Sequence, residues 1–118
     1  RYNEALGNIP GVGFMPEPDC SRSNRWLTVM TLDAEICEVE PMQVINALAD
    51  ENIESRPLWK PMHLQPLFAG CRYFTHGDEE SIGDKLFASG LCLPSGSSMT
   101  EEEQQRVIGL VREKVPAV

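Results

Sequence analysis

In the segment 25–33, Trp26, Leu27, Val29, Met30 and Leu32 place apolar residues on both faces of an extended chain, with β-branched Thr28 and Thr31 between them. This pattern predicts a central strand covered on both sides, with Trp26 as a core aromatic. The period then changes. Met42, Ile45, Leu48 and Ala49 recur at helical spacing behind Pro41, which suits a first helical turn because its missing N–H costs nothing there. Glu38 and Glu40 complement the positive end of that helix, and Asn52 is a plausible left-handed terminator. Residues 53–59 read as a further strand, which Pro57 confines to an edge or a bulge.

Flanking segments complete the pattern. Residues 1–7 read as the last turns of a helix ended by Gly7, and 8–19 as an irregular or short extended connection rich in proline and glycine. Residues 60–76 show no period and are long for a connection. A helix over 78–90 is predicted from Ile82, Leu86 and Phe87, ended by Gly90 and weakened by Gly83. Leu91, Cys92 and Leu93 form a short buried strand stopped by Pro94, followed by a turn at 95–98. Thr100 and Glu103 make a capping box, behind which Val107, Ile108, Leu110, Val111 and Val115 share one face to about Lys114, with Pro116 as the stop. The fold class is α+β, a short sheet with about three helices.

Length and charge narrow the function. A chain of 118 residues is one domain, and no apolar run approaches a membrane span. Ten basic against eighteen acidic residues leave a net charge of −8, a field that repels phosphate polymers and argues against nucleic-acid binding. Acidic runs at 35–40, 50–54, 78–80 and 101–103 read as solvated loops and helix starts. Cys20, Cys37, Cys71 and Cys92 are dispersed with no paired spacing, as expected of free thiols in the cytoplasm. His63, Cys71 and His76 match no common zinc spacing and lack a fourth ligand, so no metal is expected.

Candidate chemistry concentrates in residues 53–66. Pro57, Pro61 and Pro66 hold Arg56, Lys60 and Gln65 extended, so the backbone is stiff before anything binds. Preset side chains lose less entropy on binding, and Arg56, Trp59, Lys60, His63 and Gln65 are therefore the candidate substrate-binding residues. Each has a structural competitor: a core or interface aromatic for Trp59, a satisfied structural histidine for His63, an interface salt bridge for Arg56, backbone satisfaction for Gln65. The 95–98 turn ahead of a capped helix offers N–H groups to an anion, but Thr100 already uses some of them, which favours a plain turn and cap.

Taken together, SNRWL (23–27), RPLWKPMHLQP (56–66) and GLCLPSGSS (90–98) resemble, in order and over nearly the whole chain, the C-terminal domain of the DegT/DnrJ/EryC1/StrS nucleotide-sugar aminotransferases. The resemblance implies the small domain of an aspartate-aminotransferase-like, fold-type I enzyme, with 1–7 the end of an interdomain helix and 8–118 the small domain. It implies pyridoxal phosphate as cofactor, a homodimer, and transfer of an amino group from glutamate to a UDP-linked 4-keto-6-deoxy sugar. The wording of 56–66 is most similar to enzymes acting on N-acetylhexosamines of the bacillosamine type. Under that resemblance Arg56 or Lys60 faces the pyrophosphate, Trp59 the sugar or base, and His63 and Gln65 the hydroxyl or acetamido groups. Arginine's planar fork makes Arg56 the better phosphate partner.

The family's Schiff-base lysine has no counterpart here. Lys60, Lys85 and Lys114 are the chain's lysines, two reading as helix-surface residues and one lying in the substrate-type motif. The expectation is a piece of a longer enzyme, lacking its N-terminal cofactor domain, inactive alone and exposing the apolar surface that domain covers. A free-standing ligand-binding or assembly module of the same fold is the alternative.

Overall fold

The computed structural model describes residues 1–77 and 81–115. Four strands form one antiparallel sheet in the order β1-β2-β4-β3, with β1 at Val12–Phe14, β2 at Thr28–Leu32, β3 at Arg56–Pro57 and β4 at Gly90–Leu93. Five α-helices lie among the described residues: α1 (Tyr2–Leu6), α2 (Ala34–Cys37), α3 (Pro41–Asp50), α4 (Ile82–Ser89) and α5 (Glu101–Lys114). The α+β class stands; α1, α3, α4 and α5 fall on the predicted helices, and α2 is the one the sequence pattern did not suggest. The unforeseen α2 is a single turn, capped by the Asp33 carboxylate accepting from the Glu35 N–H.

Register explains the core. Phe14 pairs with Met30, Met30 with Leu91, and Thr28 with Leu93, so these side chains share one face of the sheet. That face packs on α1, α3 and α5 through Leu6, Val44, Leu48, Val107 and Val111, all buried. Each such aliphatic side chain contributes roughly 1.5–3 kcal/mol by leaving water. Arg106 donates to the Glu51 carbonyl (3.0 Å) and carboxylate (2.7 Å), and Arg112 to the Ala5 carbonyl (2.7 Å), so α5 also ties down the ends of α3 and α1. Tyr2 donates to the Pro94 carbonyl at 2.9 Å, and burial pushes its phenol pKa up to about 12.

Several helix signals operate as the sequence suggests. Thr100 and Glu103 exchange hydrogen bonds of 3.2 and 2.7 Å in a complete capping box. Asn52 adopts φ +59°; its N–H reaches the Ala49 carbonyl and that of Ile53 the Leu48 carbonyl, a Schellman ending for α3. The inward face of α3 is Pro41, Val44, Ile45 and Leu48, whereas Met42 points outward and is half exposed. A spacing of three, four and seven admits either Val44 or Met42 beside Ile45, and packing selects the β-branched residue. α5 buries the predicted face and runs to Lys114; Pro116 lies outside the described residues.

The second sheet face departs from expectation. Val29, Thr31, Gly90 and Cys92 lie on it, and Leu58 and the end of α4 approach it, yet Val29 and Thr31 stay partly exposed while Met30 and Leu32 on the other face are buried. α4 begins behind a Ser81 cap rather than at 78, and the acidic run 78–80 lies outside the described residues. It buries no residue fully, and Ile82 is 69% exposed. Gly90 ends α4 as its C-cap and opens β4, at φ −105° rather than in a left-handed conformation. Its lack of a side chain instead makes room for Leu58.

Candidate functional site

The proline-rich stretch is stiff but barely paired. Only Arg56 and Pro57 join the sheet, at its edge as Pro57 requires, after which two 3-10 turns (Met62–Leu64 and Pro66–Phe68) carry the chain away. Leu58 anchors the segment: its N–H donates weakly to the Gly90 carbonyl at 3.4 Å, and its side chain occupies the space above Gly90.

The five candidate residues separate into two groups. Arg56 and Trp59 border one cleft of about 510 Å³, together with Trp26, Glu54, Ser55, Cys92 and Ser95. Arg56 donates from Nε to the Glu54 carboxylate at 2.8 Å, a pair exposed on both sides and therefore weakly held. Trp59 is 66% exposed. Lys60 follows it, also exposed. His63 and Gln65 make their contacts within the loop and to α4. The His63 ring stacks on Tyr73 at 3.6 Å between centroids, and its Nε2 lies 2.8 and 3.1 Å from the two carboxylate oxygens of Asp84. Tyr73 in turn shares a 2.7 Å hydrogen bond with Ser81, the cap of α4. Gln65 donates to the Lys60 carbonyl at 3.3 Å, closing the turn that follows Lys60.

Trp26 corrects a sequence expectation. Rather than filling the core it is 73% exposed, with its ring centroid 6.2 Å from that of Trp59 and the planes tilted by 37°. Local turn chemistry is the cause. Arg25 sits at φ +53°, the Ser23 hydroxyl accepts from the Arg25 N–H and the Asn24 side chain from the Trp26 N–H, both at 3.1 Å. Arg25 is further held by a 2.6 Å ion pair with Glu17. The strand starts only at Thr28, after the turn has swung Trp26 outward. The legible signal was the polar run Ser21–Arg25, which marks a turn immediately before the aromatic.

Beyond this cleft, the 60–76 loop leaves Leu67 and Phe74 83% and 77% exposed, with Met62 also open. The 95–98 turn is tied to the sheet: Ser95 Oγ accepts from the Thr28 N–H and lies 2.9 Å from the Thr28 hydroxyl, joining the start of β2 to the end of β4. Among the described residues, no group of three or more His, Cys, Asp or Glu is arranged to hold a metal ion, and no helix is long and apolar enough to cross a membrane.

A family model described as the DegT/DnrJ/EryC1/StrS aminotransferase family matches residues 1–112. The chain belongs to this family. Among curated relatives, EpsN of Bacillus subtilis (strain 168), named as a pyridoxal phosphate-dependent aminotransferase, is 54% identical over 108 residues, covering 92% of this chain and 27% of EpsN. GDP-perosamine synthase of Caulobacter vibrioides is 38% identical over 66 residues, 56% of this chain and 17% of that protein. A solved DegT/DnrJ/EryC1/StrS aminotransferase from Brucella abortus superposes with a TM-score of 0.78 at 25% identity, over 98% of this chain and 29% of its own. The chain thus spans about a quarter of the length of EpsN, and the family's shared fold accounts for its sheet and helices.

Proposed function

We infer that this chain is the substrate-recognition and dimer-packing part, the C-terminal small domain, of a pyridoxal phosphate-dependent enzyme that aminates a UDP-linked 4-keto-6-deoxy sugar with glutamate as donor. The observation that carries the reading is the stiff 56–60 segment, which presents Arg56, Trp59 and Lys60 to solvent beside one cleft within a family of aminotransferases. Arg56 and Lys60 take the diphosphate; a phosphate displaces Glu54 from Arg56 at little cost because the existing pair is exposed. His63 and Gln65 act one step back, holding the loop against α4 so that Trp59 and Lys60 stay in place.

The described residues do not build a seat for the cofactor. A lysine that bonds pyridoxal phosphate needs an enclosed, partly desolvated amine, and Lys60, Lys85 and Lys114 are all exposed. When bound, the cofactor supplies the amino-group carrier and electron sink. That chemistry belongs to the part of the enzyme that EpsN has and this chain does not span. The exposed apolar side chains Met62, Leu67 and Phe74 are the surface on which that part rests.

The test uses the complete enzyme. Arg56→Ala raises KM for the UDP-sugar while the half-reaction with glutamate proceeds nearly unchanged; equal loss in both half-reactions would assign Arg56 to folding or cofactor support. For the 118-residue chain alone, mixing with pyridoxal phosphate should leave no absorbance band that survives dialysis and is bleached by borohydride. Such a band would place the covalent site within these residues.

A further inference from the structure

The two tryptophans, the only ones in the chain, converge on one cleft and neither is buried. A tryptophan in a core gains the burial of 150–250 Å² of mostly apolar surface. Trp26 and Trp59 forgo most of that and lean on one another, 6.2 Å apart and tilted 37°. The rings are too close and too inclined to admit a third ring between them. Both rings line the same cleft, so together they present it with an aromatic platform.

The platform is preset. Trp26 is fixed by the Asn24 and Arg25 turn, and Trp59 by the prolines at 57 and 61. Beside it the cleft offers apolar Cys92 and Pro57 with a small polar rim of Ser55, Ser95 and Arg56, a size and composition suited to a small molecule. Charge selects the kind of molecule. In a chain of net charge −8, Arg56 lines the cleft with Trp59 and Lys60 follows Trp59 in sequence, so cationic groups accompany the aromatic surface, whereas Arg25 is already paired with Glu17. A flat ring joined to a phosphate matches both features, whereas a neutral sugar or an apolar peptide uses only one.

We propose that Trp26 and Trp59 together form the base-stacking platform for the nucleotide end of the substrate, with the phosphates directed to Arg56 and Lys60. Trp26 is thereby a substrate-binding residue alongside the proline-rich stretch. The proposal rests on the nucleotide-sugar reading above and names the part of the substrate that each side chain meets.

Because all tryptophan emission of this chain arises from the platform, the chain reports its own binding. Titration of the 118-residue chain with UMP should quench that emission saturably, and ribose 5-phosphate, which has the phosphate without the base, should not. Trp26→Ala, monitored through Trp59, should weaken UMP binding about tenfold, the scale of a lost base–aromatic stack. Trp26→Phe should recover most of it, and circular dichroism should show both variants folded. Equal responses to UMP and ribose 5-phosphate, no response to either, or a Trp26→Ala variant that binds UMP like the parent would each overturn the proposal. In the complete enzyme, Trp26→Ala should raise KM for the nucleotide-linked sugar by a similar factor with kcat little changed. Saturable UMP binding by an enzyme that aminates no nucleotide-linked sugar would keep the platform and remove the function. Amination with an unchanged KM in Trp26→Ala would do the reverse.

Discussion

Gly90→Ala gives the sharpest test of how the proline-rich stretch is held. The backbone there is ordinary extended chain at φ −105°, so alanine meets no conformational strain, and in isolation the change should stiffen the unfolded chain and favour folding by several tenths of a kcal/mol. Space decides otherwise. A Cβ at this position lies 2.2 Å from Leu58 Cδ1, 2.9 Å from Leu58 Cγ and 2.6 Å from the Leu86 carbonyl oxygen. Leu58 can rotate or lift, but the carbonyl belongs to the backbone of α4 and cannot retreat without moving the helix. Overpacking of this kind costs about 1–3 kcal/mol, which exceeds the backbone gain. The net expectation is a loss of about 1–2 kcal/mol, a fall in melting temperature of several degrees for a domain of this size. Urea unfolding followed by circular dichroism measures it, and tryptophan emission should shift in the native baseline because Leu58 adjoins Trp59. The double variant Gly90→Ala/Leu58→Ala should lose less than the sum of the two single losses, since removing Leu58 relieves part of the clash. A Gly90→Ala protein as stable as its parent, or strict additivity in the double variant, would refute the argument.

Three further outcomes follow from the packing. Thr100→Ala removes the side-chain acceptor of the capping box and should cost about 1 kcal/mol in thermal unfolding, with Thr100→Ser retaining most of it; an overlaid melt would contradict the cap. Tyr2 has a folded pKa of about 12 against an ordinary 10.0, so the folded state holds its proton more tightly than the unfolded chain. Its stability contribution is complete below about pH 10 and is lost as the pH rises through about 12, and Tyr2→Phe should abolish that part of the alkaline decline in urea midpoint. Cys20 and Cys71 are exposed while burial covers Cys37 and Cys92 and pushes both thiols upward, so a thiol reagent should titrate two cysteines quickly in the native protein and four in denaturant. Rapid native modification of all four would show that the core or the Trp-lined cleft opens readily.

Local chemistry was legible where a few neighbouring residues decide the outcome. The Thr100–Glu103 box, Pro41 in the first turn of α3, Asn52 in left-handed conformation and the edge position imposed by Pro57 all depend on backbone groups within a turn or two, and each appears where the sequence places it. Apolar pattern was a weaker guide, because it tells that a side chain prefers to leave water and not whether the fold supplies a cover. Trp26 and Ile82 carry the same apolar signal as Met30 and Val107, yet only the latter pair face the helices of the core.

What the chain alone determined, then, is the longer helices and the central strands, the cap of α5 and the proline-set backbone around Arg56, Trp59 and Lys60. Tertiary structure decided which residues share a surface. Antiparallel pairing of β2 and β3 with β4 brings Trp26 beside Trp59, and Leu58 seats over Gly90 next to them. It also set His63 against Asp84 and Tyr73, contacts between distant segments that the sequence pattern does not show. The physical reason is range: proline, capping groups and turn residues act over one or two peptide units, while contact between distant segments depends on strand register and on the space that neighbouring side chains leave open.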